Sequence, residues 1–396
     1  MSIYNNALKI KDELIEHRKF LHQIPELGLE LPMTSKYIED KLKEMGYIPK
    51  RIGNSGIMCT IGSGEKCFLI RGDMDALPVE EQTGLDYRST NGNMHACGHD
   101  CHMAAMLGAA KLLKLHELEL KGQVKLIFQP AEETMEGAKM MVESGVLSNP
   151  SVNAALGLHV FANLPFPAGT IAMLGADGIF AAVDWFEIKI KGQSCHGAQP
   201  HKGVDPINVL AHIFLALQNI NSREMDPTDN IVLTIGQVHS GSTSNVVPEE
   251  AMMSGTLRTI SNKTRAEVKE RMENLVLLIA ASFKAEAHIE WGAGCPVLNN
   301  DKMLHGEIKK YLRALNDINV IDYSEIDSAY KTMVSEDFAY IANEIPSVYM
   351  LISGGSAEEG YCYPQHHAKA VFSDDAIPVA ATAYAHAAIE WLKEHQ

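Results

Sequence analysis

A thiol and an imidazole stand two residues apart in Met94-His95-Ala96-Cys97-Gly98-His99-Asp100, on a loop that leads into a helical stretch. Side chains so spaced can both point at one cation, and soft sulfur with borderline nitrogen suits a divalent transition metal. Taken singly, Cys97 and His99 read equally well as buried or capping residues. Glu132-Glu133 follows an apolar run and Pro130-Ala131. Its plain reading is a pair of acids in a helix's first turn, favourable with the helix dipole. Its chemical reading is one carboxylate holding a metal while its neighbour takes a proton from water. His159 closes the apolar run Ala154–Leu158, where a satisfied core histidine is the alternative. In His366-His367, after Gly354-Gly355, either imidazole could complete the set. One thiol, two or three imidazoles and one or two carboxylates, each at a strand end or adjoining loop, are far more specific together than any one of them. They point to an enzyme with a metal site.

The elements that must carry these groups follow from hydrophobic period. Residues 8–22 and 34–46 read as amphipathic helices, the second stopped at Gly46. Ile57–Ile61 and Cys67–Arg71 read as strands joined by the turn Gly62-Ser63-Gly64. Asp100 is the expected N-cap of a helix Cys101–Leu115. Val124–Gln129 and Ala154–His159 are further buried strands, with a helix starting near Gly137 between them. Strands alternating with helices predict an α/β fold with a doubly wound, mostly parallel sheet, whose ligands sit beyond the strands' carboxyl ends. From about Val183 the order changes to strand Trp185–Lys191, helix Pro206–Ile220, strands Ile231–Val238 and Ala251–Arg258, helix Thr264–Lys284 and strand Ala287–Trp291. That β-α-β-β-α-β order is ferredoxin-like and predicts an inserted α+β domain. The expected division is residues 1–183 and 295–396 for a discontinuous catalytic domain, and 184–294 for the insert. The α/β pattern resumes after Pro296 and ends in a helix Ala376–Glu394.

Composition narrows the function classes. The 396 residues are 46% hydrophobic and 21% charged, enough apolar material for two cores. A net charge of −16 and the lack of a basic run argue against nucleic acid. No stretch approaches the roughly 18 consecutive apolar residues of a membrane span. The polar N-terminal segment lacks an apolar signal core, so a cytoplasmic protein is the expectation. Seven cysteines, Cys59, Cys67, Cys97, Cys101, Cys195, Cys295 and Cys362, form no even framework and suggest reduced thiols.

Arg71-Gly72-Asp73-Met74-Asp75-Ala76-Leu77-Pro78, the Cys97 segment, Pro130-Ala131-Glu132-Glu133 and Gly157-Leu158-His159-Val160 occur in an order that resembles the aminoacylase/carboxypeptidase superfamily of metallopeptidases. The nearest branch contains hippurate hydrolases, N-acyl-amino-acid amidohydrolases, N-acetyldiaminopimelate deacetylases and auxin-conjugate hydrolases, and the likeness extends over nearly the whole chain. It implies a catalytic domain with an inserted lid that also dimerises, giving a homodimer or higher homo-oligomer. It implies metal ligands Cys97, His99, Glu133, His159 and His366, with Cys97 bridging two ions where many relatives use an aspartate. One or two divalent ions per subunit (Mn, Co, Zn or Ni) are implied as cofactors. Glu132 becomes the general base and Asp75 a supporting residue. Where the family often reads His-Ser-Pro-Lys-Phe, this chain has His366-His367-Ala368-Lys369-Ala370. Alignment on Lys369 favours His366, and counting back from Asp374-Asp375 favours His367.

In the insert, Gly192–His201 matches the family's Gly-x-x-x-His-x-x-x-Pro-His stretch, which implies that His196 stabilises an oxyanion in the neighbouring subunit's site. Asn245 and Arg258 are implied to contact the substrate's carboxylate, for which a guanidinium fork is suited. Gly354-Gly355 reads either as a source of backbone N–H groups for the same carboxylate, Gly354 first, or as a plain turn. The implied activity is hydrolysis of N-acyl amino acids. A dipeptidase or carboxypeptidase of the same superfamily is the alternative, disfavoured by the cysteine motif and by the lack of a His-x-Asp pattern at Asp73-Met74-Asp75. A non-catalytic binding protein on this fold would be expected to lose the base or several ligands, and none is missing here.

Overall fold

The computed structural model describes residues 2–176, 179–326 and 332–396. It divides into two compact units, the first formed by Met1–Ile179, Asn299–Tyr330 and Asp337–Gln396 and the second by Phe180–Leu298 with Lys331–Glu336. The second unit is wider than 184–294 because an isolated bridge between Phe180 and Leu298 extends its paired region beyond the sheet.

The first unit is built on an eight-stranded sheet in the order Lys50–Ile52, Gly56–Gly62, Gln123–Gln129, Cys67–Asp73, Ala154–Phe161, Ser347–Ser353, Ile171–Met173 and Val320–Asp322. The four central strands, from Gln123–Gln129 to Ser347–Ser353, are mutually parallel, and the strands on either side of them, Gly56–Gly62 and Ile171–Met173, pair with them antiparallel. All residues of Cys67–Asp73 and Ser347–Ser353 are buried, as expected for strands covered on both faces. Gly56–Gly62 and Cys67–Asp73 are consecutive in sequence yet do not pair, because Gln123–Gln129 lies between them. On one face pack helices His99–Leu115 and Ala376–Glu394. They approach closely at Gly108, where an added Cβ would meet the Ala381 Cβ at 2.8 Å. The other face, carrying Gly157 and Tyr349, is covered by Phe338 and the short helix Ala339–Ala342.

The N-terminal helical stretch is two helices, Ile3–Lys9 and Lys11–His22, broken at Ile10, and the next begins at Pro32, whose fixed φ suits a first helical position. The expected cap at Asp100 is corrected: the helix starts at His99 after Gly98 in the left-handed region, φ 90°. Asp100 is fully buried in its first turn instead, where Arg18 Nε donates to Oδ2 at 2.9 Å and His22 Nδ1 meets the same oxygen at 2.9 Å. Two buried cationic partners hold the carboxylate inward, which a cap exposed at the helix end would not allow.

Lys125 is a buried lysine in a central strand, its ammonium donating to the carbonyls of Val146, Ser148 and Pro150 at 2.7, 3.0 and 2.9 Å. Burial pushes its pKa down. Lys125→Met keeps the stem but strands three acceptors, and is expected to lower unfolding free energy by about 1–3 kcal/mol, read as a fall in urea midpoint at unchanged slope. An unchanged midpoint would show that the loop re-satisfies its carbonyls with water.

The second unit holds a four-stranded antiparallel sheet in the order Glu286–Cys295, Ala182–Lys191, Glu250–Thr259 and Ile231–Ser240, the strand order of a split βαβ arrangement. Helices Pro206–Asn219 and Asn262–Ser282 bury Val209, Ile213, Leu217, Val268, Met272 and Val276 in one core with Phe186, Ile188 and Met253 of the sheet. Asp205 caps the first by accepting from Ile207 and Asn208 N–H, and Ser261 caps the second by accepting from Thr264 N–H. Among the described residues no helix is long and apolar enough to cross a membrane.

Candidate metal centre

The central strands end where the chemistry gathers. Asp73 ends its strand, Glu132 and Glu133 lie just beyond Gln129, and His159 sits near the end of Ala154–Phe161. Glu132 and Glu133 are not in a helical first turn; they occupy a tight turn between Ala131 (φ 56°) and Met135 (φ 58°), and the helix begins only at Gly137.

Cys97 is the common member of two groups. Its Sγ lies 3.2 Å from His159 Nε2 and 3.3 Å from His366 Nε2. Ligand-capable atoms of Cys97, His99 and His159 lie within 4.8 Å of one another, and so do those of Cys97, Glu133 and His366. A third such group joins His99, Glu132 and Glu133. His366 Nε2 is 3.5 Å from Glu133 Oε2. His367 instead stacks on Tyr363, centroids 4.5 Å apart, and its Nδ1 accepts from Lys369 N–H. Of the two adjacent histidines, His366 is the one brought to Cys97.

The histidines are held so that their Nε2 atoms face inward. His99 Nδ1 donates to the Asp75 carbonyl at 2.8 Å, and His159 Nδ1 donates to the Val160 carbonyl at 3.0 Å. Asp75 is fully buried, and its carboxylate accepts from Glu132 N–H at 3.0 Å and Glu133 N–H at 3.1 Å. One residue thereby fixes both the Glu132-Glu133 turn and the His99 ring. Such outer partners set ring orientation and ligand basicity.

The donor set fits a cation. His99 Nε2 and Glu133 Oε1 are buried with no hydrogen-bond partner, a costly arrangement unless something else meets them. Burial, reinforced by Glu133, Glu132 and Asp73, holds the Cys97 thiol far above its usual range. Burial also pushes Glu133 up to about 7. Burial works to lower His99, yet Asp73 and Asp75 raise it to about 10. His159 and His366 are pushed down, chiefly by burial. The Cys97 thiol and the Glu133 acid are short of positive charge, which a divalent ion supplies while drawing both into their ligand forms.

Two groups that sequence reasoning passed over belong to this cluster. Asp73 receives Arg71 Nη1 on Oδ2 and His102 Nδ1 on Oδ1, each at 2.5 Å. His102 follows His99 by three residues on one helix, a spacing that puts both on the same face and could have exposed it. The expected role of Gly354 is corrected: its N–H already donates to the Phe161 carbonyl at 2.7 Å, leaving no donor for a substrate carboxylate. An added Cβ there would meet Val160 at 2.9 Å, so the glycine serves close packing.

The second unit carries the remaining three candidates. His196 is exposed on the two-residue strand Cys195–His196, paired with Val246–Val247. Its Nδ1 accepts from Ala198 N–H at 3.0 Å, which leaves Nε2–H as a donor. His196 faces Val246 across that ladder, and Asn245, just before Val246, accepts from Gly197 N–H through its backbone carbonyl at 2.8 Å. Arg258, near the end of Glu250–Thr259, donates through Nη1 to the Met333 carbonyl at 2.7 Å and to Ser335 Oγ at 3.3 Å. It is a half-buried, oriented guanidinium rather than a free surface charge.

Residues 69–390 match the family model described as peptidase family M20/M25/M40. An N-acetyl-L-cysteine deacetylase of Bacillus subtilis (strain 168) is 39% identical over 349 residues, covering 87% of this chain and 81% of that protein. An IAA-amino acid hydrolase ILR1-like 2 of Arabidopsis thaliana is 35% identical over 393 residues, 98% of this chain and 87% of its own. The solved structure of the Bacillus subtilis YXEP protein, described as a dinuclear metal binding peptidase of the M20 family, superposes with a TM-score of 0.79 at 33% identity, covering 97% and 99% of the two chains.

Proposed function

The chain belongs to peptidase family M20/M25/M40 and is a hydrolase of amide bonds, and from that premise we propose that it cleaves N-acyl amino acids to a carboxylic acid and a free amino acid. The observation that carries the proposal is Cys97 Sγ, shared by two ligand groups beside the buried, unpartnered His99 Nε2 and Glu133 Oε1. Cys97, His99, Glu133, His159 and His366 would hold one or two divalent ions, drawn from Mn(II), Co(II), Zn(II) and Ni(II), all of which accept mixed sulfur, nitrogen and oxygen donors. When bound, the metal supplies Lewis acidity to the amide carbonyl and to the attacking water.

Glu132 takes the proton of that water and delivers it to the departing amine, so the proton count closes within one turnover. Asp75 keeps Glu132 in place through the Glu132 backbone N–H. His196 uses its Nε2–H to stabilise the developing oxyanion. Arg258 and Asn245 bind the free carboxylate of the amino acid, which selects acyl-amino acids over simple amides. The enzyme works in the cytoplasm as a homodimer or larger homo-oligomer built through the second unit.

Metal-loaded protein assayed with acetyl-, benzoyl- and indoleacetyl-amino acids, their carboxyl-amidated forms and a set of dipeptides tests this. The free acids are expected to give the highest kcat/KM, with amidation costing about 10-fold or more if a charged hydrogen bond to the carboxylate is lost. Dipeptides turned over better than every acyl-amino acid would overturn the substrate class in favour of a dipeptidase or carboxypeptidase.

A further inference from the structure

We propose that His102, together with Asp73, is a positioning residue that aims His159 through the Val160 peptide unit and does not itself touch metal or substrate. The inference rests on the function proposed above, since it takes His159 as a ligand.

The pairing of Ala154–Phe161 with Cys67–Asp73 runs only from Ala154 to Gly157. Beyond it, among the described residues, no strand pairs with Val160 on that edge. His102, fully buried on helix His99–Leu115, supplies the missing acceptor: Val160 N–H donates to its Nε2 at 2.7 Å. A backbone N–H can only donate, so Nε2 bears the lone pair and the neutral ring carries its proton on Nδ1. That proton goes to Asp73 Oδ1 at 2.5 Å, while Arg71 Nη1 fixes the other carboxylate oxygen. Arg71 is in turn gripped by Gln129 Oε1 and Asp337 Oδ1, each at 2.8 Å. The Val160 peptide is therefore anchored at its N–H to a rigid charged array. Its other end, the carbonyl, accepts from His159 Nδ1 at 3.0 Å, and this leaves His159 Nε2 aimed at Cys97 Sγ. The rings of His102 and His159 also meet edge to face, centroids 4.5 Å apart at 80°.

Atoms of Asp73, His99 and His102 lie within 4.8 Å of one another and could be taken for an ion site. Both ring nitrogens of His102 are already committed, however, so coordination through either one would break a buried hydrogen bond. The geometry assigns it to orientation.

Cobalt(II) is the probe, added to purified metal-free protein, with visible absorption reporting the geometry at the ion and a competing chelator reporting affinity. His102→Leu is expected to weaken Co(II) binding about 10–100-fold, the usual effect of losing an outer partner of a ligand, and to alter the absorption bands. His102→Gln, which retains one donor and one acceptor, recovers most of the affinity. His102→Asn keeps a donor near Asp73 but cannot reach Val160, and behaves like the leucine variant; it carries the test if the leucine variant does not fold. In a His159→Ala background the further change His102→Leu costs nothing more, because its route to the ion is gone. Wild-type affinity and spectrum in both His102→Leu and His102→Asn would overturn the proposal. So would equal losses in His102→Gln and His102→Leu, or a full loss persisting without His159, which would mean direct contact. Wild-type protein that binds no Co(II) overturns the metal centre itself, an outcome separate from any difference among these variants.

Discussion

Glu132→Gln is expected to lower kcat by about 10²–10⁴-fold while metal content and KM stay near wild type. The substitution preserves volume and hydrogen bonding but removes the ability to take a proton. Glu132 is buried, its backbone is tied to Asp75 Oδ1, and its Oε2 stands 3.9 Å from His99 Nε2. Its neighbour Glu133 turns towards His366, with Oε2 3.5 Å from Nε2. Both carboxylates approach His99 Nε2, Glu132 at 3.9 Å and Glu133 Oε1 at 4.0 Å, but in the described contacts only Glu133 also reaches the Cys97 and His366 side of the cluster. Because His99, Glu132 and Glu133 also form a group of their own within 4.8 Å, metal analysis must accompany the kinetics. Loss of metal together with activity would make Glu132 a ligand. Near-normal turnover with metal retained would remove it from proton transfer altogether.

Cys97→Ser is expected to have the largest effect on metal binding, exceeding the roughly 10–100-fold typical when only an outer-shell partner is lost. A serine hydroxyl stays neutral near pH 7 and is a poor replacement for thiolate. Cys97 Sγ is the point where the His159 and His366 sides of the cluster meet, so its loss weakens both groups at once. Cys97→Asp keeps an anion and is expected to retain more metal than the serine variant, which separates loss of charge from loss of sulfur. Isothermal titration of metal-free protein, with the thermal midpoint of the metal-free form as a folding control, reads the result. Unchanged stoichiometry and affinity in Cys97→Ser would sink the shared-ligand role.

The cluster's chemistry was legible because ligand types are a property of residues. Cys97, His99, the Glu132-Glu133 pair, His159 and the His366-His367 pair could be singled out from their identities and from their places at strand ends or adjoining loops, and the resemblance to a known family chose Glu133 and His366 within the pairs. The roles of Gly354 and Asp100 were misread for a common reason. A backbone N–H or a carboxylate is available only if no neighbour takes it, and Phe161, Arg18 and His22 are remote in sequence. The choice between His366 and His367 likewise turned on local backbone, His366 lying in the left-handed region at φ 65°.

By itself the sequence determined the periodicities, and with them the α/β layering, the inserted β-α-β-β-α-β unit and the long helix Ala376–Glu394, since burial on one or two faces is written residue by residue. Only the tertiary structure decided that Gln123–Gln129 separates two consecutive strands, and that three-residue strands such as Lys50–Ile52 and Ile171–Met173 exist at all. Strand order and such short strands depend on pairing partners distant in the chain, which no local pattern encodes. The same holds for Arg71, Asp73, His102 and Val160: their link to His159 is a chain of hydrogen bonds between separate segments, formed only when the sheet and its covering helix have packed.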